Sequence, residues 1–118
     1  MIITDLERLV VDYLNSSNLG ISAFYNVPAE RPDSFVVVER TGGDLSNRVV
    51  ESAVFDMQCW SSTRALAAQY ANNIRNVLLD ITTLENVSYI NITSFFRDKD
   101  LESGTPRYHI VFELIFND

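Results

Sequence analysis

The fold prediction starts from one stretch of the chain, residues 31–43, with the sequence RPDSFVVVERTGG. The central FVVV run is aromatic and β-branched, and residues of these types favour strands. A proline stands before the run and two glycines end it, which is typical of a strand that enters a hairpin. We therefore predict a strand over Phe35–Thr41, a turn over Gly42–Asn47 and a return strand over Arg48–Ser61.

The FVVV run lacks the polar alternation of a strand with one face in water. Its continuous apolar character predicts that Phe35–Val38 is buried on both faces. We expect a helix to cover one face, and a second subunit is one candidate cover for the other. The return strand alternates in part, and its apolar face carries Val49, Ala53, Phe55, Met57 and Cys59.

Two segments carry apolar residues at helical spacing. The first, Thr4–Asn15, opens with Thr4 and Glu7 in the arrangement of a capping box. The second, Thr63–Ile81, follows Ser61-Ser62, which we expect to supply its N-cap. Alanines on the apolar stripe of the second helix would let it lie close to a sheet. Both stripes predict helices with one buried face.

Two further strands are predicted near the end of the chain. Arg107–Asn117 alternates with a strict period of two, which assigns its faces. The apolar face carries Tyr108, Ile110, Phe112, Leu114 and Phe116, and the other carries Arg107, His109, Glu113 and Asn117. Val87–Phe96 is also rich in strand formers, and we expect the polar segment between them, Arg97–Pro106, to be a mobile loop.

The element order is α-β-β-β-α-β-β, if Ser22–Val27 forms a short strand beside the prolines. At 118 residues the chain is most simply one domain, residues 1–118. Hairpin-length links between strands predict an α+β fold. We expect a mostly antiparallel sheet of four to five strands with two helices packed on one face.

Composition excludes several classes of function. The net charge is −7 and Lys99 is the only lysine, so a phosphate-neutralising nucleic-acid surface is not expected. The N-terminal sequence resembles neither a signal peptide nor a membrane anchor, and we expect a cytoplasmic chain that makes no contact with membrane. Cys59 is the only cysteine, so no intrachain disulfide forms, and we expect its thiol to be buried and inert.

No catalytic constellation or cofactor motif is evident. His109 is the only histidine, and we expect it to be a surface residue of a strand. Gly42-Gly43 belongs to no phosphate loop. Asp98, Asp100 and Glu102 have the alternate spacing of part of a calcium loop but lack its glycine and terminal glutamate. We therefore expect no enzyme activity, no metal and no cofactor.

The arginines are the most informative charged residues, because Arg40, Arg48, Arg97 and Arg107 lie at strand ends beside loops. Arginine is preferred for planar ion pairs that cross interfaces. The alternative is pairing within the same subunit, with neighbours such as Glu39 or Glu51. The candidate subunit or tube interface consists of Arg40, Gly42, Gly43, Asp44, Arg48, Arg97, Asp98, Lys99 and Arg107.

The hairpin pattern resembles that of tail terminator and tail-completion proteins of long-tailed bacteriophages. That family often pairs a P-x-x-F-V-x-V-x-R-x-G-G strand with a V-x-V-x-x-W-A strand. Ser61 stands where the family commonly has alanine. The matching positions here are Pro32, Phe35, Val36, Val38, Arg40, Gly42, Gly43, Val54, Asp56 and Trp60.

The resemblance covers most of the chain and implies a structural protein of the virion. Its subunits would form a ring, expected to be hexameric, at the head-proximal end of the tail tube. The implied partners are copies of itself, the tail tube protein and a head-tail connector or head-completion protein. DNA would only pass through the lumen, which an acidic surface suits, and assembly would take place in the host cytoplasm.

Two alternatives remain open at this point. A head-completion or neck protein between connector and tail would have much the same sequence. A small intracellular ligand-binding domain or enzyme would need a pocket, for which Tyr108, His109 and Cys59 are the candidates. The alternation places His109 on the opposite face from Tyr108, which weighs against that pocket.

Overall fold

The computed structural model describes residues 5–43 and 50–117. The predicted order of helices and strands is confirmed over this part of the chain, with one added turn of 3-10 helix. The elements are α1 (Asp5–Asn15), β1 (Ser22–Phe24), β2 (Phe35–Gly42), β3 (Val50–Trp60), α2 (Arg64–Leu78), the 3-10 turn (Ile81–Thr83), β4 (Val87–Lys99) and β5 (Pro106–Asn117).

The five strands form one mixed sheet in the order β1-β2-β3-β5-β4. β1 runs parallel to β2, and the other three pairings are antiparallel. β1 has three residues and ends at Phe24 rather than at the predicted Val27. The connection to β2 contains two prolines, which cannot donate to a strand ladder. The mostly antiparallel α+β sheet that the sequence predicts is confirmed.

Both helices pack on the same face of the sheet, as predicted. Apolar side chains from α1 and α2 join the alternate residues of the strands in one buried cluster. Phe55 and Phe112, on neighbouring strands, stack at its centre with ring centroids 5.2 Å apart. Tyr13 on α1 donates a 2.7 Å hydrogen bond to the Val77 carbonyl on α2. This bond ties the two helices together over the sheet.

The FVVV run is buried on both faces, as its composition predicts. Val36 and Val38 face the helices, whereas Phe35 and Val37 join Trp60 in a second, smaller cluster on the opposite face. The chain itself supplies a cover there, because the Arg31 guanidinium lies 4.7 Å from the centre of the Trp60 ring. A neighbouring subunit is not needed to explain the burial of this strand.

Three further predicted boundaries are wrong. The N-cap of α2 is Thr63, whose hydroxyl accepts the Leu66 amide; Ser61 is instead buried and bonded to Ser34. α2 ends at Leu78: the Leu79 amide still donates four residues back to the Arg75 carbonyl, but the Asp80 amide donates only three residues back, to Val77. The loop predicted over Arg97–Pro106 is mostly strand, because β4 continues to Lys99 and β5 starts at Pro106.

The turn that joins β4 to β5 is short and closed by its own hydrogen bonds. The Asp100 amide donates to the Thr105 carbonyl, and Gly104 donates back to the Asp100 carbonyl. The Asp100 carboxylate accepts the Ser103 amide and hydroxyl. Asp100 therefore shapes this turn, and Arg97, Asp98 and Lys99 are strand residues with fixed neighbours.

Candidate functional site

The sheet surface that faces away from both helices is the candidate functional surface, which we call the open face. Register between β3, β5 and β4 places alternate residues of the three strands there. No described helix lies over it. Its members are Val54, Asp56, Gln58, Tyr89, Asn91, Phe96, Asp98, Arg107, His109, Val111, Glu113 and Ile115.

A row of charges crosses the open face from β3 through β5 to β4. His109 Nδ1 lies 2.9 Å from Asp56 Oδ1, and Nε2 lies 3.0 Å from Asp98 Oδ2. The second contact has the distance of an ion pair without the alignment of a hydrogen bond. Arg107 donates to both oxygens of Asp98, from Nε at 2.7 Å and from Nη2 at 3.0 Å. Acidic and basic groups therefore alternate along the row.

The charges of the row stabilise one another's ionised forms. The hydrogen bond to Asp56 raises the pKa of His109, against the opposing effect of burial. The hydrogen bond from Arg107 lowers the pKa of Asp98. The same bond raises the pKa of Arg107. The two carboxylates therefore favour the protonated form of His109 more than water does.

The expectation that His109 is a surface residue is wrong, since only 8% of it is exposed. Phe96 lies flat against the imidazole, with ring centroids 4.7 Å apart and an interplanar angle of 4°. Phe96 itself is 46% exposed, so it shields the charged row and presents its outer side to solvent. Tyr89, further along β4, is 42% exposed.

Trp60 anchors the end of the open face where β2 begins. Its ring stacks on Phe35 at 5.2 Å, and the guanidinium of Arg107 lies 4.9 Å from its centre. Arg107 thus contacts both Trp60 and Asp98. These contacts join the second apolar cluster to the charged row. Arg107 therefore has its partners within the same chain.

The side chain of Arg40 also bonds to groups of the same chain. Its Nη1 lies 2.7 Å from Glu51 Oε2, the pairing that the sequence analysis named as the alternative to an interface. Its Nε donates to the Gly42 carbonyl and its Nη2 to the Ser52 carbonyl. These bonds hold β2 against β3 next to Gly43, whose φ is +128°.

A second feature lies on the helix side of the sheet, where the start of α2 meets the end of β4. Arg64, Arg97 and Lys99 line a cleft of about 390 Å³ together with Asp98, Gly104 and Pro106. The three cations are exposed. We call this feature the cationic cleft. It brings together three of the nine basic residues of an acidic chain.

The predicted interface residues fall into separate groups. Arg40, Gly42 and Gly43 lie at the end of the β2–β3 pair where the chain passes from one strand to the other, and Asp44 and Arg48 lie outside the described residues. Arg97, Asp98, Lys99 and Arg107 come together at the opposite end of the sheet. Asp56, Trp60 and Phe96 are neighbours of this group that the sequence did not predict, although alternation along β3 and β4 places them on the same face.

The pocket considered for a ligand-binding domain or enzyme does not form from its three candidates. Tyr108 and Cys59 lie on the helix side of the sheet and His109 lies on the open face. Burial raises the pKa of the Cys59 thiol to about 12, so the thiol stays protonated near neutral pH.

Among the described residues, neither helix has the length and apolar character of a membrane span.

No protein-family model matches the chain, and no curated protein matches it. Among solved structures, the chain is similar to the bacteriophage SPP1 gp17 protein, with 19% sequence identity. The match covers 96% of this chain and 88% of that chain, with a TM-score of 0.43. At this distance the match assigns no role to any residue.

Proposed function

We propose that the chain is a structural virion protein of a long-tailed bacteriophage, a tail terminator without enzymatic activity. Its subunits form a ring, hexameric by the family resemblance, on the head-proximal end of the tail tube. The ring ends tube polymerisation and offers the surface to which the head joins.

The observation that carries the proposal is the structural role of the residues that carry the family resemblance. Phe35 stacks on Trp60 across the β2–β3 pair. Val36 and Val38 enter the main core, and Arg40 links the two strands through Glu51. Residues that match a family pattern and build one hairpin support membership more strongly than scattered matches do.

The open face supports an assembly role. An antiparallel sheet with one face packed on helices usually presents a polar face to water. Here Phe96 and Tyr89 are substantially exposed, and Val111 and Ile115 are half-buried next to them on the neighbouring strand β5. Exposed apolar groups that lie together mark interaction surfaces. We assign the open face to contact with another protein of the particle.

Polymerisation of the tail tube protein of the same phage, with and without this chain, tests the proposal. We expect the wild-type chain to bind one end of the tubes and to shorten them, as seen by electron microscopy. Tyr89→Ala with Phe96→Ala should weaken this effect. Leu79→Ala is the matched control, because Leu79 is 50% exposed on the helix side. Tubes of unchanged length without bound chain contradict the proposal.

The neck protein remains the second candidate, since its partners also lie between the head and the tail. A chain that binds purified connector but leaves tube polymerisation unchanged has the neck role. This outcome keeps the chain in the virion and rejects the terminator.

A further inference from the structure

The cationic cleft gathers three positively charged side chains. No ion pair joins Arg64, Arg97 or Lys99 to another residue in the described ranges 5–43 and 50–117. Asp98 also lines the cleft, but its carboxylate is already bonded to Arg107 and close to His109. Like charges gathered in one cleft repel one another, so the cleft is suited to an anionic partner.

The opposite edge of the same sheet carries the complementary charge. Glu30 and Asp33 are exposed in the connection between β1 and β2, and β1 and β4 are the two edge strands. Arg31 lies between these acids in sequence, but its guanidinium stacks on Trp60. The acidic pair, which we call the acidic loop, therefore faces the surroundings with net negative charge.

The register places the cationic cleft and the acidic loop at the same end of the sheet. Phe35, just after the acidic loop, pairs with Trp60, which pairs with Arg107, which pairs with Asp98. This line runs straight across the strands from β2 to β4. With neighbouring strands about 4.8 Å apart, it spans roughly 14 Å. The two charged surfaces thus lie at the same end of the sheet, on opposite flanks.

We propose that the cationic cleft binds the acidic loop of a second copy of this chain. A contact between two different surfaces of identical subunits is heterologous, and it closes into a ring when the rotation between subunits allows. Surfaces at the same end of the sheet, on opposite flanks, suit such a ring. This inference rests on the proposed function and names the partner of the predicted interface residues Arg97 and Lys99.

Charge complementarity favours a second copy over nucleic acid as the occupant. The chain carries 16 acidic residues against nine basic ones, so its overall field repels a polyanion such as DNA. A short acidic loop presents carboxylates without a long charged backbone. Opposite charges at an interface steer association and fix its register.

Charge reversal on each flank, followed by sedimentation velocity of the full chain, tests the pairing. Arg97→Glu with Lys99→Glu should reduce self-association at least tenfold, and Glu30→Lys with Asp33→Lys should do the same. All four substitutions in one chain exchange the charges of the two surfaces and should restore association. Arg8→Glu, an exposed reversal on α1, is the matched control for Arg97→Glu, and thermal unfolding checks that each variant is folded.

The outcomes separate this inference from the proposed function. A wild-type chain that associates equally well with either flank reversed overturns the pairing and leaves the terminator role standing. A wild-type chain that remains monomeric also overturns the pairing, while the tube polymerisation experiment still decides the proposed function. Binding of a short DNA duplex that Arg97→Glu with Lys99→Glu abolishes assigns the cleft to phosphates and overturns the proposal.

Discussion

His109 joins three strands through its two ring nitrogens. The imidazole ring lies between two carboxylates, Asp56 on β3 and Asp98 on β4. The Phe96 ring covers the imidazole on its outer side. Removing a partner from a charge this buried leaves the charge poorly solvated. The residue therefore makes the stability of the sheet sensitive to pH.

We expect the free energy of unfolding to fall as the pH rises through the folded pKa of His109. That pKa is raised in the folded protein, so the folded chain binds the proton more tightly than the unfolded chain does. The stabilisation is complete below the unfolded pKa, about 6.5, and is lost above the folded value. Urea unfolding of the wild type and His109→Gln across this range measures it. Parallel pH profiles for the two proteins contradict the expectation.

Position 43 requires a glycine because of the backbone conformation there and the close approach of β3. Its φ is +128°, and a Cβ there would collide with the backbone of Ser52 and Ala53 on β3. We expect Gly43→Ala to lower the free energy of unfolding by about 2–3 kcal/mol. Gly42→Ala is the matched control, since nothing lies within 4 Å of its added Cβ. Equal denaturant midpoints for the two variants show that the turn tolerates a side chain.

Sequence patterns predicted faces better than partners. The alternation over Arg107–Asn117 predicted that Phe112 faces the core and His109 the other side. It did not predict the burial of His109, because Asp56 lies 53 residues away in sequence. Such pairs depend on the order and register of strands, which a period of two does not encode. The same limit applies to Arg31 as the cover of Trp60.

Arg40 holds β2 to β3 near the connection between the two strands. Its side chain reaches Glu51 and two backbone carbonyls. We expect a double-mutant cycle of Arg40→Ala and Glu51→Ala to give a coupling energy of about 0.5–1 kcal/mol, because the pair is partly exposed. Urea unfolding of the four proteins measures it. A coupling near zero would leave Arg40 available for a neighbouring subunit, the role that the sequence analysis gave it.

Element boundaries followed hydrogen bonding that composition does not show. The charged sequence RDK reads as loop, yet residues 97–99 extend β4 because Arg107 binds Asp98 across the strand pair. β1 is shorter than predicted, since it ends at Phe24 rather than at Val27. The cationic cleft is lined by residues of both α2 and β4, so no single stretch of sequence predicts it.

The whole molecule presents two kinds of surface that a ring subunit needs. The open face carries exposed aromatic side chains over a charged row, and the flanks carry opposite charges at the same end of the sheet. With a net charge of −7, the chain repels DNA overall. The sequence predicted the fold class and the order of elements, whereas these surfaces followed from the sheet topology.

Electron microscopy of particles from a phage that lacks this gene decides whether the chain is a tail terminator. We expect overlong tails without heads, and their return to a defined length when the wild-type chain is supplied in trans. Tails of normal length beside unjoined heads would contradict the terminator and favour the neck protein. Normal, infectious particles would contradict both virion roles.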